Sequence, residues 1–125
     1  MKFRLHISKK TDDIFKYLEQ REHLQPFALA KIAIALSIKD GFVKSECHIV
    51  EDSNGVELNR QTITGENDQL FKALIEIQEN SYLTEEDYFP DYVKAYIDNG
   101  AQLLIREYRY AKYFYSHLLD LDAGI

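Results

Sequence analysis

The sequence predicts one domain that is mainly α-helical with a few short strands. The expected order is a strand-helix-helix unit over residues 1–41, a β-hairpin over 42–65 and a helical part over 66–122. Three observations predict it: strict alternation of apolar and polar residues over 3–8, helical spacing in the two runs that follow, and helical spacing again through most of the second half. A chain of 125 residues is long enough for one domain with a modest core.

The first strand and the first helix follow directly from local patterns. Phe3, Leu5 and Ile7 would face the core, with polar residues between them facing outward. Ser8 is a good amino-terminal cap for the helix that follows, and two aspartates lie in the positive first turn of that helix. We expect this helix to run to about Glu22.

The second helix is apolar nearly all round. It follows Gln25-Pro26, where proline is well tolerated near the first helical position, and runs from Phe27 to about Lys39. A helix without a polar face must be buried on every side, and one chain of this size has little material to surround it. We therefore predict that copies of the chain associate through this helix, with Ala33 inside the contact.

The rest of the chain is a hairpin followed by helices. Cys47 to Val50 and Val56 to Ile63 would be strands around the turn sequence D-S-N-G. Helices are predicted from the apolar spacing after residue 66, from the cap Thr84, and from Asp91 to Leu119. Glycine at position 100 is either a break in the last helix or a point of close packing.

The charge is unevenly distributed along the chain. The net charge is −6, but residues 1–45 carry nine lysines or arginines against five acids, and residues 46–125 carry six against sixteen. This split favours a basic face for an anion and an acidic remainder that repels DNA or meets basic partners; alternatively, much of the acidic share is only solvated surface. No apolar run reaches the roughly 18 residues of a membrane helix, and the single cysteine favours a cytoplasmic location.

A strand followed by two helices is the order of a ribbon-helix-helix unit. In that architecture two chains pair their first strands into an antiparallel ribbon that enters the DNA major groove. The start of the second helix would add N–H groups for a phosphate. The predicted DNA-binding residues are the outward side chains of the strand and the cations that follow it: Lys2, Arg4, His6, Lys9, Lys10 and Lys16. The alternative is that basic residues here only protect a sheet edge.

Other polar groups have structural explanations. Adjacent strand residues point to opposite faces, so Cys47 and His48 would not pair as nucleophile and base, and we expect Cys47 to be buried. The acidic run at 85–87 is explained as the first turn of a helix. Phosphate-loop, dinucleotide-binding and zinc-protease motifs do not occur in the sequence. We therefore expect no catalytic residues, no metal site and no cofactor.

Two further groups of residues could either bind a ligand or have a structural role. Arg106, Arg109 and Tyr113 share a helical face that could meet a phosphate or a base. We favour a tyrosine-rich packing helix whose cations pair with the abundant carboxylates. Arg60 and the T-G-E sequence at 64–66 are interpreted as a turn and its brace rather than as a binding site.

Two blocks of sequence are specific enough to carry a family resemblance. The first runs from His6 to Ile38 and contains an L-x-P turn followed by K-I-A-x-x-L-S. The second starts at Glu57 and reads E-x-N-R-x-T-x-T-G-E-x-D-x-L-F-x-A-L. Together with the helical tail from Tyr96 to Leu104, they resemble the DndE family of DNA sulfur-modification proteins over nearly the whole chain.

The resemblance implies a non-enzymatic accessory protein of DNA phosphorothioation, which replaces a non-bridging backbone oxygen by sulfur. It implies a homo-oligomer, a tetramer in the family, that binds duplex DNA (nicked duplex in particular) and works beside the modification enzymes. Glu22-His23 departs from the Thr-Gly typical of the family, so the bend must form without the conformational freedom of glycine. The alternatives are a protein-interaction adaptor that does not touch DNA and a ribbon-helix-helix transcriptional repressor.

Overall fold

The computed structural model describes the backbone of residues 2–123 and the side chains of residues 2–113. Within them the chain forms the following strands and helices: β1 (Arg4–His6), α1 (Lys9–Glu22), α2 (Pro26–Lys39), β2 (Glu57–Asn59), α3 (Arg60–Ile63), α4 (Asp68–Glu79) and α5 (Val93–Ala123). Short 3₁₀ turns lie at Lys44–Glu46 and Gly65–Asn67. The irregular segment Asp87–Tyr92, in which Phe89 has an extended backbone (φ −126°, ψ 124°), leads into α5. The prediction of a mainly helical protein with a few short strands is confirmed.

The two strands form an antiparallel sheet inside one chain. Leu5 of β1 lies opposite Leu58 of β2, and both side chains are buried. The partner of β1 is therefore β2 of the same chain, whereas a ribbon-helix-helix unit pairs it with the first strand of a second copy. Alternation specifies which face of a strand is buried, but the partner strand is chosen by contacts distant in sequence.

The predicted hairpin is wrong. Residues 47–50 form no strand: Cys47 is exposed, and Ile49 and Val50 are 75% and 94% exposed. The second predicted strand is cut short because the side chain of Asn59 accepts a hydrogen bond from the N–H of Gln61 and caps α3. The irregular segment after α2 thus leaves β2 free to pair with β1.

The amino-terminal helix begins and ends as its sequence predicts. Ser8 Oγ accepts a hydrogen bond from the N–H of Thr11, and the helix continues to Glu22. The next residue, His23, takes the left-handed conformation with φ 58°, and its N–H donates to the Glu19 carbonyl. Histidine thus occupies the position at which glycine ends many helices.

We expect His23→Gly to raise the free energy of unfolding by about 0.5 kcal/mol. Glycine removes left-handed strain of roughly 1–2 kcal/mol, but part of this gain is offset because glycine loses more backbone entropy on folding. Urea denaturation measures the difference. The control is His23→Ala, which retains a Cβ at positive φ and should give no gain; a more stable alanine variant would contradict the strain argument.

Helix α5 is the centre of the core, with α2 and α1 packed on it. Ala33 of α2 lies against Gly100 of α5 so closely that a Cβ on the glycine would stand 1.8 Å from the Ala33 carbonyl oxygen. Close packing at Gly100 is thus confirmed. One turn further along α2, Ser37 Oγ donates to the Tyr96 carbonyl at 2.6 Å.

One chain covers only half of α2. Leu29, Ala33 and Ile34 are buried, whereas Phe27 and Ile32 on the other side are 42% and 38% exposed. The prediction that Ala33 lies between copies is wrong, because this residue is buried against α5 of its own chain. The surface of α2 that remains for another molecule is the face that carries Phe27 and Ile32.

Candidate nucleic-acid interface

The outward face of β1 carries the predicted strand cations. Arg4 and His6 are exposed on either side of the buried Leu5, and Lys2 is exposed just before the strand. Arg4 Nη1 lies 3.4 Å from Glu57 Oε1 on the neighbouring strand. The His6 ring is held by a 3.1 Å hydrogen bond between Nδ1 and the carbonyl oxygen of Gly55, in the loop before β2.

The predicted lysines of α1 form ion pairs with acids or contact a neighbouring helix. Lys9 Nζ lies 2.6 Å from Asp13 Oδ1, and Lys16 Nζ lies 3.3 Å from Asp12 Oδ2, each pair one helical turn apart. The hydrogen bond to Asp13 raises the pKa of Lys9 above its usual range, so this lysine stays protonated. The Nζ of Lys10 donates a hydrogen bond to the side-chain amide oxygen of Gln102 in α5, at 3.3 Å.

Two acids occupy the amino terminus of α1. Asp98 Oδ1 accepts hydrogen bonds from the N–H of Ser8 at 3.1 Å and from the Thr11 hydroxyl at 2.6 Å. Asp52 Oδ1 accepts one from the N–H of Lys9 at 2.8 Å. The start of α1 is therefore already satisfied by carboxylates and offers nothing to a phosphate.

Neither of these two contacts is predictable from local sequence patterns. Asp52 lies 43 positions after Lys9, and Asp98 lies 90 positions after Ser8, so no local motif indicates that these residues contact each other. The N–H of Asn54 first, and then that of Lys9, hold the pKa of Asp52 below its usual range. Lys94 Nζ joins the two acids, because it lies 2.5 Å from Asp98 Oδ2 and 2.8 Å from the Asp52 carbonyl oxygen.

The amino terminus of α2 differs from that of α1. Gln25 makes no side-chain capping hydrogen bond there, Pro26 occupies the first turn, and that turn holds no acid. Lys31 is exposed little more than one turn further along. The positive end of this helix therefore faces no carboxylate of its own first turn. The contact between this terminus and a phosphate stays a prediction.

The second basic group lies where α5 extends past the core. Arg106, Arg109 and Lys112 are exposed, and none of them forms an ion pair with a side chain that the structure describes. The tyrosine between the first two does pack: Tyr108 meets Tyr17 of α1 edge-on, at 6.3 Å between ring centroids. The predicted packing role is thus seen for the tyrosine, and the predicted pairing of the cations is not seen among the described side chains.

The most family-specific block of the sequence folds into a structural brace. Arg60 contacts Asp68 through two hydrogen bonds, Nε to Oδ1 at 3.1 Å and Nη2 to Oδ2 at 2.6 Å, and its Nη2 reaches Glu85 at 2.9 Å. The hydroxyls of Thr64 and Tyr88 donate to the same aspartate at 2.6 and 3.1 Å. This confirms the interpretation of Arg60 as a brace.

The brace also controls the ionisation of its aspartate. Burial by itself would raise the pKa of Asp68, but the hydrogen bonds from Arg60 and Thr64, with the arginine's charge, bring it below its usual range. The cluster is therefore an ion pair locked by hydroxyl donors. It joins α3, α4 and the segment before α5.

A cleft of about 490 Å³ lies between the irregular segment after α2 and α5. Cys47 lines it, and its Sγ contacts the Ile49 carbonyl oxygen at 4.0 Å. Lys94 and Asp98 on the opposite wall are paired with each other. Among the described residues no group of three or more histidines, cysteines or acids is placed to hold a metal ion.

The fold and this surface define a small helical protein with exposed, acid-paired cations at its amino-terminal unit. The family model described as DNA sulphur modification protein DndE matches residues 4–112. The chain therefore belongs to the DndE family. None of the described helices is both long and apolar enough to cross a membrane.

Solved structures with the same fold include two DndE proteins. The crystal structure of DndE from Escherichia coli, described as involved in DNA phosphorothioation modification, has 21% sequence identity and a TM-score of 0.68, with 83% of this chain and 97% of that chain covered. A glycine-to-lysine double mutant of DndE, also described as involved in DNA phosphorothioation, has 20% identity and a TM-score of 0.63, with 85% and 99% covered. No curated protein sequence matches the chain.

Proposed function

We propose that this protein is a non-enzymatic subunit of a DNA phosphorothioation system, which holds DNA and partner enzymes on a homo-oligomer. The family membership and the description of the similar E. coli protein support the process. The DNA-binding part rests on one observation: the side chains of Arg4, Lys9 and Lys16 are exposed, and each forms an ion pair with a single acid. The proposed DNA contacts are the predicted ones: Lys2, Arg4, His6, Lys9, Lys10 and Lys16.

Such cations can exchange their partners at little cost. The side chains of Arg4, Lys9 and Lys16 are 69%, 58% and 61% exposed, and exposed ion pairs contribute only about 0–1 kcal/mol. A DNA phosphate that replaces the carboxylate also releases counterions from the duplex, which favours binding at low salt. The uncapped start of α2 would add a backbone contact to a further phosphate.

The charge distribution determines which way the DNA lies. The whole chain carries −6, and the excess of acids falls after residue 45. Duplex DNA would therefore run along the amino-terminal unit and avoid the surface of α3 and α4. Joining several copies multiplies the weak basic surface of each one, which is how a chain of negative net charge holds a polyanion.

Oligomerisation is supported by the exposed half of α2. Phe27 and Ile32 present apolar surface that one chain does not cover. By family resemblance we propose a tetramer. The acidic remainder of each copy would then meet the partner enzymes of the system.

We expect the double variant Arg4→Ala with Lys9→Ala to bind duplex DNA about tenfold more weakly while remaining folded and oligomeric. Each phosphate contact contributes about −0.9 to the slope of log K against log salt, so losing two should make the slope shallower by about 1.8. Fluorescence anisotropy with intact and nicked duplexes over a salt series measures both quantities. The matched control is Arg106→Ala with Arg109→Ala, which removes two cations of α5 and should leave the slope unchanged.

The other outcomes identify other functions. A loss of affinity in the control pair alone would move the DNA site to α5. If the wild-type protein binds no DNA even at low salt, the protein is an adaptor that recruits enzymes. Strong preference for one duplex sequence would instead indicate a repressor.

A further inference from the structure

The irregular segment after α2 contains extended chain without a partner strand. Residues 47–54, which we call the strap, run without a turn or bend beside the cleft. Residues 47, 49, 51 and 53 of the strap line the cleft, together with Val50. Alternate residues on one side are the geometry of a β-strand. The N–H groups of residues 48–51 donate to no group in the part of the chain that the structure describes.

The strap also exposes side chains that favour strands. Ile49 and Val50 are 75% and 94% exposed, although β-branched residues pack well in a sheet. An extended segment with open N–H groups is a template for pairing with another chain. Many proteins recognise an extended peptide in this way, because main-chain hydrogen bonds supply affinity and neighbouring pockets supply specificity.

The strap is fixed at both ends. Just before it, the carboxylate of Glu79 accepts hydrogen bonds from the N–H groups of Lys44 and Ser45, at 2.6 and 3.1 Å. Near its other end, Lys94 Nζ donates to the carbonyl oxygen of Asp52 at 2.8 Å. A strand that pairs with the strap therefore meets backbone that is already ordered, which lowers the entropic cost of binding.

Acids outnumber cations along the strap and the cleft. Residues 46–56 include three acids and no lysine or arginine. Glu51 and Asp91 line the cleft, and neither forms an ion pair with a described side chain. The two lysines of the lining already have partners: Lys94 pairs with Asp98, and Lys44 Nζ lies 4.7 Å from the centre of a tyrosine ring. The cleft therefore favours a cation.

A lysine or arginine side chain matches this lining. Its aliphatic part would contact Ile49 and Ala95, and its charged end would reach Glu51 or Asp91. Glu51 has one neutral contact, a 3.5 Å hydrogen bond from the side-chain amide of Gln102, which a cation can replace. The volume of about 490 Å³ lies within the range of pockets that hold ligands.

We propose that the cleft receives an extended basic segment of another protein, which pairs with the strap and places lysine or arginine side chains against Glu51 and Asp91. The inference deepens the proposed function, because it names the surface at which a partner protein of the system would bind. A second copy of the chain fits poorly, since pairing strap with strap would bring the acids of residues 46–52 together. The same acids repel DNA.

A short synthetic peptide of alternating valine and lysine residues tests the site on the full-length protein. We expect fluorescence anisotropy of the labelled peptide to show binding, and hydrogen-exchange mass spectrometry to show slower exchange in residues 47–54. The same peptide with N-methylated amides keeps its charge but cannot donate main-chain hydrogen bonds, so it should bind about tenfold more weakly and leave exchange unchanged. A valine–glutamate peptide should not bind.

A pair of acid variants tests the charged contacts. Glu51→Gln with Asp91→Asn should weaken binding of the valine–lysine peptide about tenfold, because two exposed ion pairs are lost. The matched control is Glu86→Gln with Asp87→Asn, which makes the same change in net charge at two exposed acids outside the cleft. The control should bind the peptide like the wild type. Circular dichroism checks that both double variants are folded.

The outcomes separate this inference from the proposed function. Equal binding of the N-methylated or the valine–glutamate peptide, or equal losses in the two double variants, would overturn the inference. A wild-type protein that binds DNA but not the basic peptide would do the same and leave the proposed DNA contacts in place. A protein that binds the basic peptide at the strap but binds no DNA would support the inference and contradict the DNA part of the proposed function.

Discussion

Replacing Gly100 by alanine should destabilise the protein by about 3 kcal/mol or more, at the upper end of the usual cost of overpacking a core. The added Cβ would stand 1.8 Å from the carbonyl oxygen of Ala33, and the next nearest atoms are also backbone of α2. Backbone cannot turn aside as a side chain can, so α2 and α5 would have to separate. Alanine gains about 1 kcal/mol in helix propensity over glycine, which is too little to reverse the sign.

Urea denaturation followed by circular dichroism measures the effect of Gly100→Ala. Gly65→Ala is the control, because no atom lies within 4 Å of the added Cβ and only the positive φ of 46° is strained. Its expected cost is about 1 kcal/mol. Equal losses in the two variants would show that the α2–α5 contact yields more easily than the structure indicates.

The second large effect is expected for Asp68→Asn. The side chains of Arg60 and Asp68 are only 11% and 20% exposed, and the carboxylate accepts hydrogen bonds from Thr64 and Tyr88 in addition to the arginine. In Asp68→Asn the guanidinium of Arg60 stays largely buried, and only the half-exposed Glu85 still balances its charge. Breaking a buried pair typically costs about 3–5 kcal/mol, and we expect a loss near the lower end of that range. Glu57→Gln, which breaks an exposed pair with Arg4, is the control and should cost less than about 1 kcal/mol.

The loss in Asp68→Asn should depend on pH in a defined direction. Hydrogen bonds hold the pKa of Asp68 in the folded protein below its ordinary value. The stabilisation is therefore present above the unfolded pKa, about 3.9, and disappears as the pH falls through the lower folded value. Unfolding free energies of the wild type and the variant should converge in acid. If the difference in unfolding free energy between the wild type and the variant stays constant down to pH 2, the loss comes from the changed shape of the side chain and not from the missing charge.

Elements that are specified by near neighbours were predicted well from the sequence. Ser8 caps α1, Thr84 accepts a hydrogen bond from the N–H of Asp87, and Gly100 marks a close contact. Each of these signals lies within one helical turn or in a single small residue. The hairpin failed for the opposite reason: whether Val56 to Ile63 pairs with residues 47–50 or with β1 is decided by which apolar face fits the core, over more than 50 residues of separation.

The same distinction between local patterns and distant contacts holds for the residues of the candidate DNA surface. The exposure of Arg4 and His6 follows from alternation along β1, and the structure shows it. The acids that bind the start of α1 are Asp52, in a loop, and the distant Asp98, so no local pattern indicates that this helix terminus is already occupied. The exposure of Leu70, Leu74 and Ile77 on α4 is likewise not predictable, because the same spacing suits a buried helix equally well.

The hydrogen bonds between Asp98 and the start of α1 also bear on how this protein is made. Ser8 leaves the ribosome long before Asp98, its partner 90 positions later, has been translated. Until then the first N–H groups of α1 have only water and their own Ser8 cap, and Gly100, the site of the tightest helix contact, is also still missing. The amino-terminal unit therefore completes its packing only when most of the chain has emerged, which makes folding a late, concerted event of the kind expected when distant contacts dominate.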